Sequence, residues 1–426
     1  MNKISRRDFL KVAGVSAAAL GLAACGEDKG TAASVASSAS TAASSVAVKD
    51  VALKVWGPQE DQADDASWLP TTCKQFQTEH PEWNITFTYE VCPEGDAAKN
   101  VAPDPTAAGD VYFFANDQIG TLVDANAISE LGRDALTQIQ NDNSETMVKS
   151  VTGADGGVYG VPFTGNTWFM YYDKSAFTAD EIKSLDAMLA KGKVAFPLTN
   201  SWYIASFFVA NGCTLFGADG NDAAAGIDFG GDKGAAVTKY LVNMVANANF
   251  VNDADGAGIA GLRDGSIKAI FSGTWDAASV KEALGDNYAA AQLPTITIDG
   301  AEKQLRSFSG SKAIAVNPNC ANPEVAVALA AYLGSADAQK SHYEMRNIIP
   351  CVNSLLTDAT ISADPAAVAQ NNTIANTSIL QPTISEMGNY WTPAENFGKS
   401  IYNKEVTEAN AAEKTEAFNA SFKATL

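Results

Sequence analysis

Histidine is the scarcest functional residue in this 426-residue chain: only His80 and His342 occur. That leaves little material for metal or triad chemistry. His80, directly before Pro81, is expected at an exposed helix end. Cations are also sparse, 29 Lys and Arg against 49 Asp and Glu, for a formal charge of −20. So acidic a surface repels phosphate backbones and anionic headgroups, which excludes nucleic acid and electrostatic membrane docking. Cysteine offers no framework. Apart from Cys25 the chain has Cys73, Cys92, Cys213, Cys320 and Cys351, odd in number, far apart and without a CxxC pair. Buried thiols, with at most one disulfide, are expected rather than a zinc site. Glycine-rich stretches lack the partners that would make them cofactor sites. "GADGGVYG" is followed by no Lys-Ser or Lys-Thr and opens no helix, and the acids of "GADGNDAAAGIDFGG" lack the EF-hand order. No cofactor or metal is expected, and no repeat of solenoid period is visible.

Long apolar runs are missing too. "VAGVSAAALGLAA" is too short for a bilayer span, which takes about 20 apolar residues. Behind the basic "MNKISRRDFLK" it forms an export signal over residues 1–24. "LGLAAC" resembles the lipobox of bacterial lipoproteins, which implies cleavage before Cys25 and lipidation of its thiol. "SRRDFLK" resembles the twin-arginine export pattern, and an ordinary Sec signal containing Arg-Arg is the alternative. Residues 26–49, rich in Ala, Ser and Thr without periodicity, cannot bury a core and are expected to be a tether.

From Val51 short apolar runs alternate with amphipathic stretches. "VALKVWG", "NITFTYEV" and "DVYFFA" have strand character, and helical spacing fills the segments between them, with Pro81 stopping the first helix. This order predicts an α/β fold with mostly parallel sheets, whose ligands sit beyond the carboxyl ends of the strands. Further on, "DGGVYGVPF" has the pattern of a hairpin. "SWYIASFFVANG" is helical, and "GLRDGSIKAIFSGTWDAASVKEALG" gives helix, strand, turn and helix. "SFSGSKAIAVNP" is a strand, "PEVAVALAAYLGSADAQKSHYEMR" one helix, and the chain from about Asp364 is helical with interruptions. At 426 residues two bodies of ordinary domain size are expected.

Five segments in order carry a resemblance: "ALKVWGPQED", "GDVYFFANDQIGTLVDANAISEL", "GVPFTGNTWFMYYDK", "LRDGSIKAIFSGTWD" and "EMGNYW". Behind a lipobox and a tether they resemble the extracellular solute-binding lipoproteins of ABC sugar importers, most closely the maltose/maltodextrin-binding branch. The resemblance implies a two-lobed periplasmic-binding-protein-like fold, each lobe a mixed, mostly parallel sheet flanked by helices, with a ligand cleft between them. Residues 50–164 with 310–358 would form lobe one, and 165–309 with 359–426 lobe two. It also implies an oligosaccharide ligand, importer permease subunits as partners, a lipid anchor on Cys25 at the outer face of the cell membrane, and a monomer.

A pyranose has faces of C–H groups ringed by hydroxyls, so it is matched by flat aromatic platforms and planar polar side chains. Carried over by the resemblance, the ligand contacts in lobe one are Gln59, Glu60, Asp61, Phe114, Ala115, Asp117 and Gln118. In lobe two they are Asn166, Trp168, Asn200, Trp202, Tyr203, Trp275, Tyr390 and Trp391. None is Arg or Lys, which disfavours phosphate, sulfate or carboxylate ligands. Asp117 also suits a helix cap. Trp56, Trp68 and Trp83 suit packing. Where the maltodextrin pattern has a tryptophan, an arginine and two glutamates, this chain has Phe114, Gln118, Asn166 and Asn200, so a different hydroxyl pattern can be read. An α-glucan is the first expectation, and other oligosaccharides or a non-sugar solute remain open. A secreted glycoside hydrolase would need two opposed carboxyl groups about 5 to 9.5 Å apart. The candidate residues are mostly rings and amides, with their acids on one lobe.

Overall fold

The computed structural model describes residues 48–423. The export signal, Cys25 and nearly all of the tether lie outside the described residues. In chain order the strands are β1 (Lys49–Gly57), β2 (Trp83–Val91), β3 (Val111–Ala115), β4 (Val161–Thr167), β5 (Phe169–Asp173), β6 (Val194–Phe196), β7 (Thr214–Leu215) and β8 (Ile227–Asp228). There follow β9 (Phe250–Asn252), β10 (Ala269–Ser272), β11 (Tyr288–Ala291), β12 (Thr295–Ile298), β13 (Ala301–Gln304), β14 (Ser307–Val316) and β15 (Ser378–Leu380).

Two mixed sheets dominate. The first has the order β15-β14-β3-β1-β2, with β4 on the other edge of β14; the second has the order β11-β5-β10-β6-β9. In the first, β1 runs parallel to both β2 and β3, and in the second β6 runs parallel to β9 and β10. Parallel strands end at one edge, so the turns that follow them are gathered there. After β1, β2 and β3 come three single 3-10 turns, Gln59–Asp61, Glu94–Asp96 and Asn116–Gln118. At the corresponding edge of the second sheet lie Asn200 after β6, Asp253 after β9 and Trp275 after β10.

Burial follows the strand period. Every residue of β3 is buried, as both faces of an inner strand require. In β5 and the residue before it the two faces feed different cores: Trp168 and Met170 pack with Phe196, Phe207 and Phe271, while Phe169 and Tyr171 pack with Ile270 and Leu262. Around the first sheet a separate core gathers Trp68, Phe76, Phe113 and Phe163.

The two sheets meet where three strands lie side by side. β4 leads into β5 across the single residue Trp168, while the start of β14 pairs with both β4 and β15. Hydroxyls knit this junction. Thr167 Oγ1 bonds Ser307 Oγ at 2.8 Å and donates to the Phe308 carbonyl at 2.7 Å, and Ser378 Oγ donates to Ser309 Oγ at 2.9 Å. Hydroxyls satisfied locally let a polar strand cross a buried region at little cost.

Several expectations are corrected. The helix expected over residues 323–346 is two, Pro323–Leu333 and Ala336–Arg346. Ser335 caps the second by accepting from Ala338 N, and Gly334 lies so close to β4 that a Cβ there would fall 2.3 Å from Val161. The helical spacing that runs through "IGTLVDANAISEL" gives a helix only as far as Asp124, after which the chain turns through the left-handed Asn126. "DGGVYGVPF" makes no regular hairpin. Val158 forms an isolated bridge to Thr152, and Val161 onward joins β14 instead. Within the helical C-terminal third, β15 is a strand of the first sheet. Five described cysteines are free buried thiols, with no disulfide among them, and burial pushes Cys73 and Cys351 up to about 12. His80 is partly covered: its ring stacks on Trp83 at 4.9 Å and its Nδ1 bonds Glu82 at 3.0 Å.

Candidate functional site

At the edge of the first sheet, the turn after β3 carries Asp117. Its carboxyl is raised to about 6 from the ordinary 3.8, because shielding from water outweighs hydrogen bonds from its own turn and from the Gln381 side chain. Asn116 beside it is buried, and its Oδ1 accepts from Ser311 N at 3.2 Å. Gly310 allows this approach, since a Cβ there would lie 2.0 Å from Asn116 Oδ1. Gly310 pairs with Asn166, which is half-buried on β4. Asn166, Asn116 and Asp117 therefore form one polar strip.

At the edge of the second sheet, Asn200 caps the helix Ser201–Ala210 by accepting from Trp202 N at 2.9 Å. That cap sets Trp202 in the first turn of the helix. The Trp202 ring lies 5.9 Å from that of Trp275 and 5.6 Å from that of Tyr203. Trp275 is 47% exposed, unusual for so large a ring. It lies against the bare backbone of Gly273, where a Cβ would come within 2.0 Å of the ring. Asp276 is held by Ser272, whose Oγ donates to it at 2.5 Å.

The two edges are joined by one side chain. Gln381, immediately after β15, is 3% exposed. Its Oε1 accepts from Trp202 Nε1 at 2.7 Å, and the same side chain neighbours the Asp117 carboxyl, which it acts to lower. Asp117, Gln381, Trp202 and Trp275 thus form a continuous line of contacts drawn from both sheets.

Other expected contacts are placed elsewhere. Phe114 is fully buried, its ring against Gly160 and Ala313, because β3 is covered on both faces. Trp168 is fully buried behind Tyr203, with ring centroids 4.8 Å apart. Tyr390 is enclosed and its hydroxyl donates to the Ser201 carbonyl at 2.7 Å, so it braces the Trp202 helix from behind. Gln118 accepts from Ala98 N at 2.6 Å and donates to the Glu94 carbonyl at 2.9 Å, a bracing role that uses both ends of the amide. Asp61 is 3% exposed and accepts from His342 Nε2 at 2.9 Å and Arg346 Nε at 3.1 Å. Burial raises its carboxyl, but His342 and Arg346 together hold it below the ordinary value. These residues pack or brace in this conformation. Gln59 and Glu60 are exposed on their turn, Ala115 ends β3 buried, and Trp391 is half-buried with its ring 6.2 Å from that of Phe308.

Sequence patterns did not single out Gln381, Glu94 or Lys312. Lys312 pairs in register with Ala115, and its Nζ lies 3.2 Å from Glu94 Oε1 at the edge of the first sheet. Gln381 follows a three-residue strand too short to register as one. No group of three or more His, Cys, Asp or Glu side chains placed to hold a metal ion occurs among the described residues, and no helix among them is long and apolar enough to cross a membrane.

Residues 71–369 match the family described as bacterial extracellular solute-binding protein. The chain belongs to that family. Residues 3–23 match the signal sequence of the twin-arginine translocation pathway, which decides between the two export patterns. The galactooligosaccharide-binding protein of Bacillus subtilis (strain 168) is 27% identical over 408 residues, 91% of this chain and 90% of that protein. A maltooligosaccharide ABC transporter solute-binding lipoprotein of Streptococcus pneumoniae (strain ATCC BAA-255 / R6) is 29% identical over 309 residues, 68% of this chain and 70% of its own length. A solved structure with acarbose is 50% identical and superposes with a TM-score of 0.83, covering 88% of this chain and 99% of that one. The family is one of solute-binding proteins, not enzymes, and the two-lobed maltose-binding architecture is shared.

Proposed function

We propose that this protein captures a neutral oligosaccharide, an α-glucan of the maltodextrin type first, and delivers it to the membrane subunits of an ABC importer without chemically changing it. The observation that carries the reading is the line Asp117, Gln381, Trp202 and Trp275, which offers one carboxyl, one amide and two indoles from opposite sheets. Such a set suits hydroxyls and C–H faces and holds no cation for an anionic ligand. The names of the relatives favour an oligosaccharide, and they divide between gluco- and galacto-configured ligands.

In this reading residues 50–164 with 310–358 and residues 165–309 with 359–426 move as two lobes about the junction of β4, β14 and β15. The ligand selects the closed form by touching both. Gln59, Glu60, Ala115, Asn166, Asn200, Tyr203 and Trp391 supply further contacts as the cleft narrows. A lipid on Cys25 would hold the monomer at the outer face of the membrane. Thermal unfolding with maltotriose, maltohexaose, galacto-oligosaccharides, xylo-oligosaccharides and spermidine tests the reading. A ligand at 100 times its dissociation constant adds about 2.7 kcal/mol of stability. Glucans should raise the unfolding temperature, and chromatography should recover them uncut. No shift with any oligosaccharide, or cleavage products, would overturn the proposal.

A further inference from the structure

Gln381 stands at the one place where the recognition groups of the two sheets and the junction strands come together. Its backbone N–H donates to the Ser309 carbonyl at 2.8 Å, which extends the pairing of β14 with β15 by one residue. Its side chain turns out of that junction toward the two sheet edges. The indole Nε1–H of Trp202 is a donor only, and an ionised carboxylate is an acceptor only. One amide orientation serves both: Oε1 accepts from Trp202 at 2.7 Å, which leaves the NH2 group as the part of the side chain able to donate to the neighbouring Asp117 carboxyl. No other side chain of this length offers a donor and an acceptor on one planar group. Glutamate would set an acceptor against an acceptor at Asp117, and methionine would leave the Trp202 indole without this acceptor and Asp117 with only its own turn N–H.

We propose that Gln381 is a positioning residue of the oligosaccharide site, a clamp that fixes the Asp117 carboxyl and the Trp202 indole relative to each other and to the strand about which the halves move. The proposal rests on the oligosaccharide reading and deepens it. The amide holds Trp202 by its Nε1, and the Trp202 ring is the neighbour against which Trp275 lies. Asp117 sits on the turn that leaves β3 of the first sheet. The amide therefore ties the orientation of the aromatic platform to that of the hydroxyl-binding carboxyl. The groups acting on the Asp117 carboxyl are its own turn N–H and the Gln381 side chain, and neither is charged.

The test compares wild type with Gln381→Met and Gln381→Glu by calorimetric titration, at pH 8 and pH 5, with whichever of maltotriose, maltohexaose or galacto-oligosaccharide stabilises the wild type most. Unfolding temperatures without sugar provide the folding control, and tryptophan emission reports on the Trp202 indole. At pH 8 both variants should bind about 10- to 100-fold more weakly, the equivalent of one hydrogen bond to a charged group. Their unliganded emission should be shifted from that of the wild type. At pH 5 the ratio to wild type should narrow for Gln381→Glu, since a proton shared between the two carboxyls restores a hydrogen bond, and stay wide for Gln381→Met. Wild-type affinity and emission in either variant would overturn the clamp, as would equal losses whose ratio ignores pH. If one variant fails to fold, the other carries the same test. A wild type that binds none of the sugars overturns the oligosaccharide reading itself, and the clamp with it.

Discussion

Removal of the Trp275 ring should weaken sugar binding by about tenfold while leaving the fold intact. The ring is 47% exposed, and a tryptophan presents roughly 200 Å² of side-chain surface, so about 100 Å² remains for a ligand to cover. A pyranose stacked on one face covers about half of that. At about 25 cal/mol per Å² the lost burial is about 1.3 kcal/mol, which is close to a factor of ten in Kd. The cost to the unliganded protein is small because so much of the ring already faces water, although its contact with Trp202 at 5.9 Å is lost. Calorimetric titration of Trp275→Ala and Trp275→Phe measures the loss, with Trp275→Phe retaining part of the platform and falling between Trp275→Ala and wild type. Wild-type affinity in Trp275→Ala, with an unchanged unfolding temperature, would refute the reasoning, for it would mean that no ligand covers the exposed indole.

Three further outcomes are expected. Asp117 is raised to about 6 in the unliganded protein, and sugar hydroxyls donating to its ionised form would lower that value. Affinity should then be level above pH 7 and fall as pH drops through 6, a dependence that Asp117→Asn abolishes. Because the folded value lies above the ordinary 3.8, the same carboxyl lowers the stability of the unliganded protein as pH rises from 3.8 to 6. Asp61→Ala, which leaves His342 buried without its carboxylate and Arg346 without its ion partner, should cost about 3 kcal/mol in chemical denaturation. A loss below about 0.5 kcal/mol, the scale of an exposed pair, would contradict the buried geometry.

The architecture was largely readable because it is written in periodicity. Alternation in "NITFTYEV" and the uninterrupted "VYFFA" each specify a strand, one half-exposed and one buried on both faces, and that is how β2 and β3 are found. Local spacing carried less information where distant packing decides. Nothing near Gly334 announces that β4 will lie against it, and a helical pattern runs through the break. Nor can three residues, "SIL", signal a strand whose partner is 71 residues away.

The candidate site divides in the same way. Trp275 was legible because it follows small residues at the end of an element, where a large ring has no core to enter, and Trp202 because the resemblance carries over "LTNSWY". Phe114 and Trp168, carried over by the same resemblance, are fully buried, Phe114 inside a strand covered on both faces and Trp168 between β4 and β5 among Phe196, Tyr203 and Phe271. Asp61 stood among the expected ligand contacts, but a buried histidine 281 residues away in sequence claims it. Gln381 carried no signal of its own, since its importance comes from lying between two groups, one from each sheet.

The most direct test of the account is the crystal structure of the protein with bound maltotetraose. The account predicts sugar rings stacked on Trp275 and Trp202, with hydroxyls bonded to Asp117 and the two sheet edges drawn together over them. Density for the sugar away from these side chains, with the Trp275 face still bare, would contradict it.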